Sequence, residues 1–145
     1  MSVEREVAQV ETDEPAADAV EVRVLADPRQ LAVMRAVIGD LAMRADFDVD
    51  AIADLRLAVD EACSSLVRLA APEATLRCRF RSLTDTLSIS AEVTSDDAFG
   101  PRKDTFSWRV LSALADSVST SVEPDPASGG NLVRIDLIKG RTAHV

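Results

Sequence analysis

Residues 76–94 read LRCRFRSLTDTLSISAEVT, and this stretch decides the fold. Leu76, Cys78 and Phe80 alternate with Arg77, Arg79 and Arg81; beyond Leu83-Thr84-Asp85, the residues Leu87, Ile89, Ala91 and Val93 alternate with Ser88, Ser90, Glu92 and Thr94. A period of two with a polar break in the middle predicts an antiparallel hairpin having one dry face and one wet face. The arginines then belong to a solvated sheet face, and their alternation is enough to explain them.

Upstream of the hairpin the period changes to that of a helix. Pro72 closes a segment from about Val49 to Ala70 whose buried stripe is Ile52, Leu55, Val59, Ala62 or Cys63, Leu66 and Ala70. On a neighbouring face of that helix Glu61 and Ser65 stand one turn apart. Asp46-Phe47-Asp48 separates it from an earlier helix, which Asp27 caps and Pro28 begins. There Leu31, Met34, Ile38 and Leu41 form the core stripe, while Val33 and Val37 lie off it beside Arg29 and Arg44. Those off-stripe residues read either as a wide core face or as a partner surface. Val20, Val22 and Val24 alternate ahead of this helix as a strand.

Downstream, Ser95 to Asp104 is a loop, and Thr105 to Ala115 is a helix expected to bury Phe106, Val110, Leu111 and Leu114. Strands at about Ser117–Val122 and Leu132–Ile138 finish the chain, with Gly129-Gly130 turning between them. The order β-α-α-β-β-α-β-β, with every strand alternating, predicts an α+β two-layer sandwich. One mostly antiparallel sheet would be covered on one face by three helices. Residues 1–19 carry Glu4, Glu6, Glu11, Asp13, Glu14 and Asp18 against Arg5, which predicts an acidic disordered tail. A folded domain over 20–139 and a short tail over 140–145 complete the expected organisation.

The net charge of −9 argues against nucleic-acid binding and suits a basic protein partner. No apolar run is long enough to span a bilayer, and the first residues have no signal-peptide pattern, so a cytoplasmic protein is expected. Cys63 and Cys78 read as reduced buried thiols, with a redox pair as the alternative. His144 is the single histidine and sits near the chain end, so neither a zinc site nor a Ser-His triad involving Ser107 or Ser112 can be assembled.

The segment Leu55-Arg56-Leu57-Ala58-Val59-Asp60-Glu61-Ala62-Cys63, the block Phe106-Ser107-Trp108 through Leu114-Ala115-Asp116, and Gly129-Gly130-Asn131 before Val133 together carry a resemblance. They resemble anti-sigma factors of the RsbW serine-kinase type, within the GHKL superfamily and its Bergerat-type ATP-binding fold, and look most like the actinobacterial branch. The resemblance implies a stress-response regulator that sequesters an alternative sigma factor until an anti-anti-sigma (STAS-domain) protein releases it, with a homodimer as a further assembly. It implies ATP and Mg²⁺ as cofactors, Glu61 as general base, and Ser65, Asp97 and Gly100 as nucleotide contacts. It also implies a sigma-facing first helix, which points to Arg29, Val33, Val37 and Arg44.

The match has gaps. Ser65 stands where the family has a Mg²⁺-ligating Asn, and no Gly occurs between Lys103 and Ser107, where a phosphate-cradling Gly-x-Gly is expected. Weak or absent kinase activity is therefore expected. An active serine kinase acting on the anti-anti-sigma partner, and a degenerate ligand-binding or scaffold module, are the alternatives.

Overall fold

A computed structural model describes residues 19–141. Strand β1 is Val20–Leu25, helix α1 is Leu31–Arg44, helix α2 is Val49–Leu69, strand β2 is Thr75–Ser82 and strand β3 is Thr86–Ser95. Helix α3 (Phe106–Leu114), strand β4 (Ser117–Pro124) and strand β5 (Asn131–Gly140) follow. The acidic segment up to Asp18 and His144 lie outside the described residues.

Local chemistry starts each helix. Asp27 accepts a hydrogen bond from Arg29 N at 2.9 Å and opens a short 3₁₀ turn, Pro28–Gln30, that leads into α1. The Arg29 guanidinium also binds this carboxylate, and the two bonds hold Asp27 at a pKa of about 2. Asp48 caps α2 through Ala51 N at 2.8 Å, and Thr105 caps α3 through Trp108 N at 3.2 Å. Each cap satisfies an amide that the first helical turn leaves without a partner.

The sheet order is β1-β2-β3-β5-β4, antiparallel throughout. Register stacks the dry positions into rows. Val22, Cys78, Ala91 and Ile135 form one, Val20, Phe80, Ile89 and Leu137 the next, and Val24, Leu76, Val93 and Val133 a third. Met34, Ile38, Leu55, Val59, Ala62 and Leu66 close over these rows from α1 and α2. The expected two-layer α+β sandwich is therefore the observed architecture.

The wet face is more ordered than a solvated arginine face. Arg77 pairs with Glu92, which is only 9% exposed, while Arg23 bonds Glu21 at 2.6 Å and Arg134 bonds Asp136 at 3.2 Å. Opposite charges, facing across strands at Arg77–Glu92 and two positions apart on one strand in the other two pairs, partner side chains that alternation alone leaves free.

Helix α3 corrects one expectation. Phe106 is 81% exposed, and the residues turned inward are Trp108, Leu111, Leu114 and the following Ala115. Leu111 comes five residues after Phe106, roughly 140° around the helix, so the two cannot share a buried face. The true stripe runs at spacings of three. The exit of α3 is pinned by Asp116, whose Oδ2 accepts from Gly140 N at 2.6 Å, and by Lys139 Nζ, which donates to Leu114 O at 3.0 Å.

Candidate functional site

Helix α2 projects Glu61, Ser65 and Arg68 toward the first turn of α3. There the Thr105 cap places Ser107 facing back at α2. Ser107 Oγ donates to Glu61 Oε2 at 2.6 Å and lies 3.0 Å from Ser65 Oγ. Arg68 Nη2 donates to Ser65 Oγ at 3.2 Å and lies 3.9 Å from Glu61 Oε2.

Proton counting orients this network. A hydroxyl has one proton to give, and that of Ser107 is committed to the carboxylate. Ser65 must then donate to Ser107, while Arg68 donates to Ser65. The result is a directed chain, Arg68 to Ser65 to Ser107 to Glu61, in which each bond polarises the next. Its two ends carry opposite charge and almost meet.

A phosphoryl-transfer site needs a metal and a cradle for phosphates. Ser65 turns a lone pair toward a guanidinium, and a cation so placed repels Mg²⁺. Among the described residues no group of three or more His, Cys, Asp or Glu side chains could hold a metal ion. The pocket beside the network is about 190 Å³, lined by Leu69, Pro101, Trp108 and Leu111 with Arg68 and Arg102 at its edge. Ligand pockets usually run to roughly 300–1,000 Å³. In this arrangement Ser65 is turned to Arg68 rather than to a metal, and the pocket is small for a nucleotide.

Gly100 lines this pocket, but its lack of a side chain serves packing. A Cβ there would come within 2.8 Å of Val122 Cγ2 on β4. Asp97 does not line the pocket. Its backbone carbonyl accepts from Asn131 Nδ2 at 2.9 Å, and its amide donates to Ser95 Oγ at 3.1 Å. The sequence-derived set thus divides: Ser65 and Gly100 line the pocket, Glu61 reaches it through Ser107, and Asp97 stands apart. Sequence reasoning weighed Ser107 only for a Ser-His triad and did not bring it or Arg68 into the site. The signal for Ser107 was the capping Thr105, which fixes its place in the first turn.

The residues read as a partner surface lie elsewhere, on α1 and the 3₁₀ turn before it. Val33 is 40% exposed, and Val37 and Arg44 line a shallow groove of about 290 Å³ shared with Val20 and Leu41. Arg29 and Arg44 are held by Asp27 and Asp40, at 2.8 and 2.9 Å. Arg35 of the same helix pairs with Asp60, the chain neighbour of Glu61, which ties α1 to α2 beside the network. A larger hollow of about 570 Å³ opens on the wet face of the sheet, where the Arg77–Glu92 pair sits. It lies on the other side of the sheet from Glu61 and Ser107. No helix among the described residues is long and apolar enough to cross a membrane.

Comparison with known proteins agrees with this fold. The sequence model of the histidine kinase-like ATPase domain family matches residues 24–136. Proteins named anti-sigma-F factor RsbW, from two strains of Mycobacterium tuberculosis, are each 41% identical over 128 residues. Those alignments cover 86% of this chain and 75% of each relative.

Proposed function

The chain belongs to the histidine kinase-like ATPase domain family, and we propose that it is an anti-sigma factor of the RsbW type. It binds a sigma factor and withholds it from RNA polymerase. The observation that carries this reading is the 41% identity to anti-sigma-F factors along 86% of the chain. Family membership implies a capacity to bind ATP, and the directed network at Glu61 and Ser65 instead supports a regulator that works by holding its partner. Phosphate transfer would require Glu61 to leave Ser107, and Ser65 to exchange a guanidinium for a metal.

We place the sigma-binding surface on the outer side of α1, around Arg29, Val33, Val37 and Arg44. The exposed Val33 and the half-buried Val37, between arginines already held in place, give contact area with little ordering cost. The −9 charge steers a basic partner toward the protein. Release by an anti-anti-sigma protein through partner exchange completes the proposal, and a homodimer is the assembly we expect. Co-purification with a sigma factor from the same genome tests the reading. A stable complex supports it, and separate elution of both proteins at micromolar concentration contradicts it.

A further inference from the structure

Beneath the network lies a feature that sigma binding does not use. Cys63 on α2 and Cys78 on β2 are 1% and 0% exposed, and their Sγ atoms are 3.6 Å apart. Both are free thiols. They meet because the inner face of α2 crosses the row of Val22, Cys78 and Ala91. Bonded sulfurs lie about 2.05 Å apart, so an approach of about 1.5 Å separates the contact from a bond.

We propose that Cys63 and Cys78 are a redox-closable staple: a low-molecular-weight disulfide oxidises the pair to an intramolecular disulfide that ties α2 to the sheet. One protein thiolate attacks the small disulfide, forming a mixed disulfide and releasing one small thiol. The second protein sulfur then attacks the mixed disulfide, forming the Cys63–Cys78 bond and releasing the second small thiol. The protein loses two electrons and two protons, and the small disulfide gains them as its two thiols.

Contact in the folded state sets the second step. Re-docking of α2 returns the resolving thiol to its target, so closure outruns capture by another molecule. The first step is slow. The bond to Cys78, together with burial, pushes the Cys63 thiol up, and thiolate is the attacking form. The pair therefore stays reduced in a reducing interior and reacts through openings of α2. Closure fixes Cys63 two residues from both Glu61 and Ser65, so the staple bears on the helix that carries the network.

The test incubates the full chain with oxidised glutathione under native conditions. Remaining thiols are trapped by alkylation in denaturant, and the intact mass is read. The expected product is a monomer with neither cysteine alkylated, no glutathione attached and both protein thiol hydrogens lost. Dithiothreitol should restore two alkylatable thiols. In Cys78→Ala, Cys63 should end as a mixed disulfide or a free thiol. Wild-type protein that keeps two alkylatable thiols, stalls with glutathione attached, or forms only intermolecular dimers would overturn the proposal.

Discussion

Ser107 Oγ hydrogen-bonds Glu61 Oε2 across 2.6 Å, tying residues 46 apart in the chain and joining α3 to α2. The carboxylate that the family resemblance marks as a base is thereby engaged by the protein's own serine. Much of the proposed behaviour follows from that bond.

The two residues should be energetically coupled. Ser107→Ala and Glu61→Ala are each expected to lower unfolding free energy by about 1 kcal/mol, the usual net worth of an intramolecular hydrogen bond. The double variant should lose less than the sum of the single losses, because either change breaks the same bond. Urea denaturation of the four proteins checks this, and strict additivity would mean that the contact contributes nothing.

Nucleotide should show no metal dependence. Arg68 directs its charge at Ser65 Oγ, so adding Mg²⁺ to ATP or ADP is expected to leave calorimetric heats unchanged. No phosphate should move to an anti-anti-sigma partner. Magnesium-dependent saturation would show that the chain of hydrogen bonds opens readily.

The α1 surface makes a separate prediction. Arg29→Glu combined with Val33→Glu should weaken sigma binding at least about tenfold, near 1.4 kcal/mol. The thermal midpoint should hardly change, since both side chains face solvent. Equal affinity of variant and wild type would move the interface elsewhere.

Gly100→Ala should destabilise the fold by about 1 kcal/mol by pressing on Val122, in the low range for overpacking. The effect should appear in thermal unfolding whether or not nucleotide is present. A change confined to nucleotide binding would restore Gly100 to a phosphate role.

Acid sensitivity has a defined window at the start of α1. The carboxyl of Asp27 lies lower in the folded protein, at about 2, than its ordinary 3.8, because of its bonds to Arg29. Its stabilising contribution is therefore present above pH 3.8 and fades as pH falls toward 2. Asp27→Asn should flatten the stability profile across that window, as read by circular dichroism during acid titration. Arg29 is 86% exposed and Asp27 half-buried, so solvent screens the pair and the change is expected to be small.

The sheet was legible in the sequence because alternation has an exact period, and Val22, Cys78 and Ala91 could only face the helices together. The stripes of α1 and α2 were legible for the same reason at helical spacing. Helix α3 misled because Phe106 is strongly apolar yet lies at its first position, where the cap rather than the core fixes the backbone. The Ser107–Glu61 contact was not legible, since periodicity fixes which face a helix buries but not how far it slides along a neighbour. The 3.6 Å approach of the two sulfurs was hidden likewise. Alternation placed both cysteines inside, but only packing set their separation.

The most direct test of the account is titration of a sigma factor from the same genome into the pure protein, with and without Mg-ATP. Saturable binding of equal affinity in both conditions is predicted, because the Arg68–Ser65–Ser107–Glu61 chain holds the site without metal or nucleotide. Absence of binding, or binding that appears only with Mg-ATP, would contradict it.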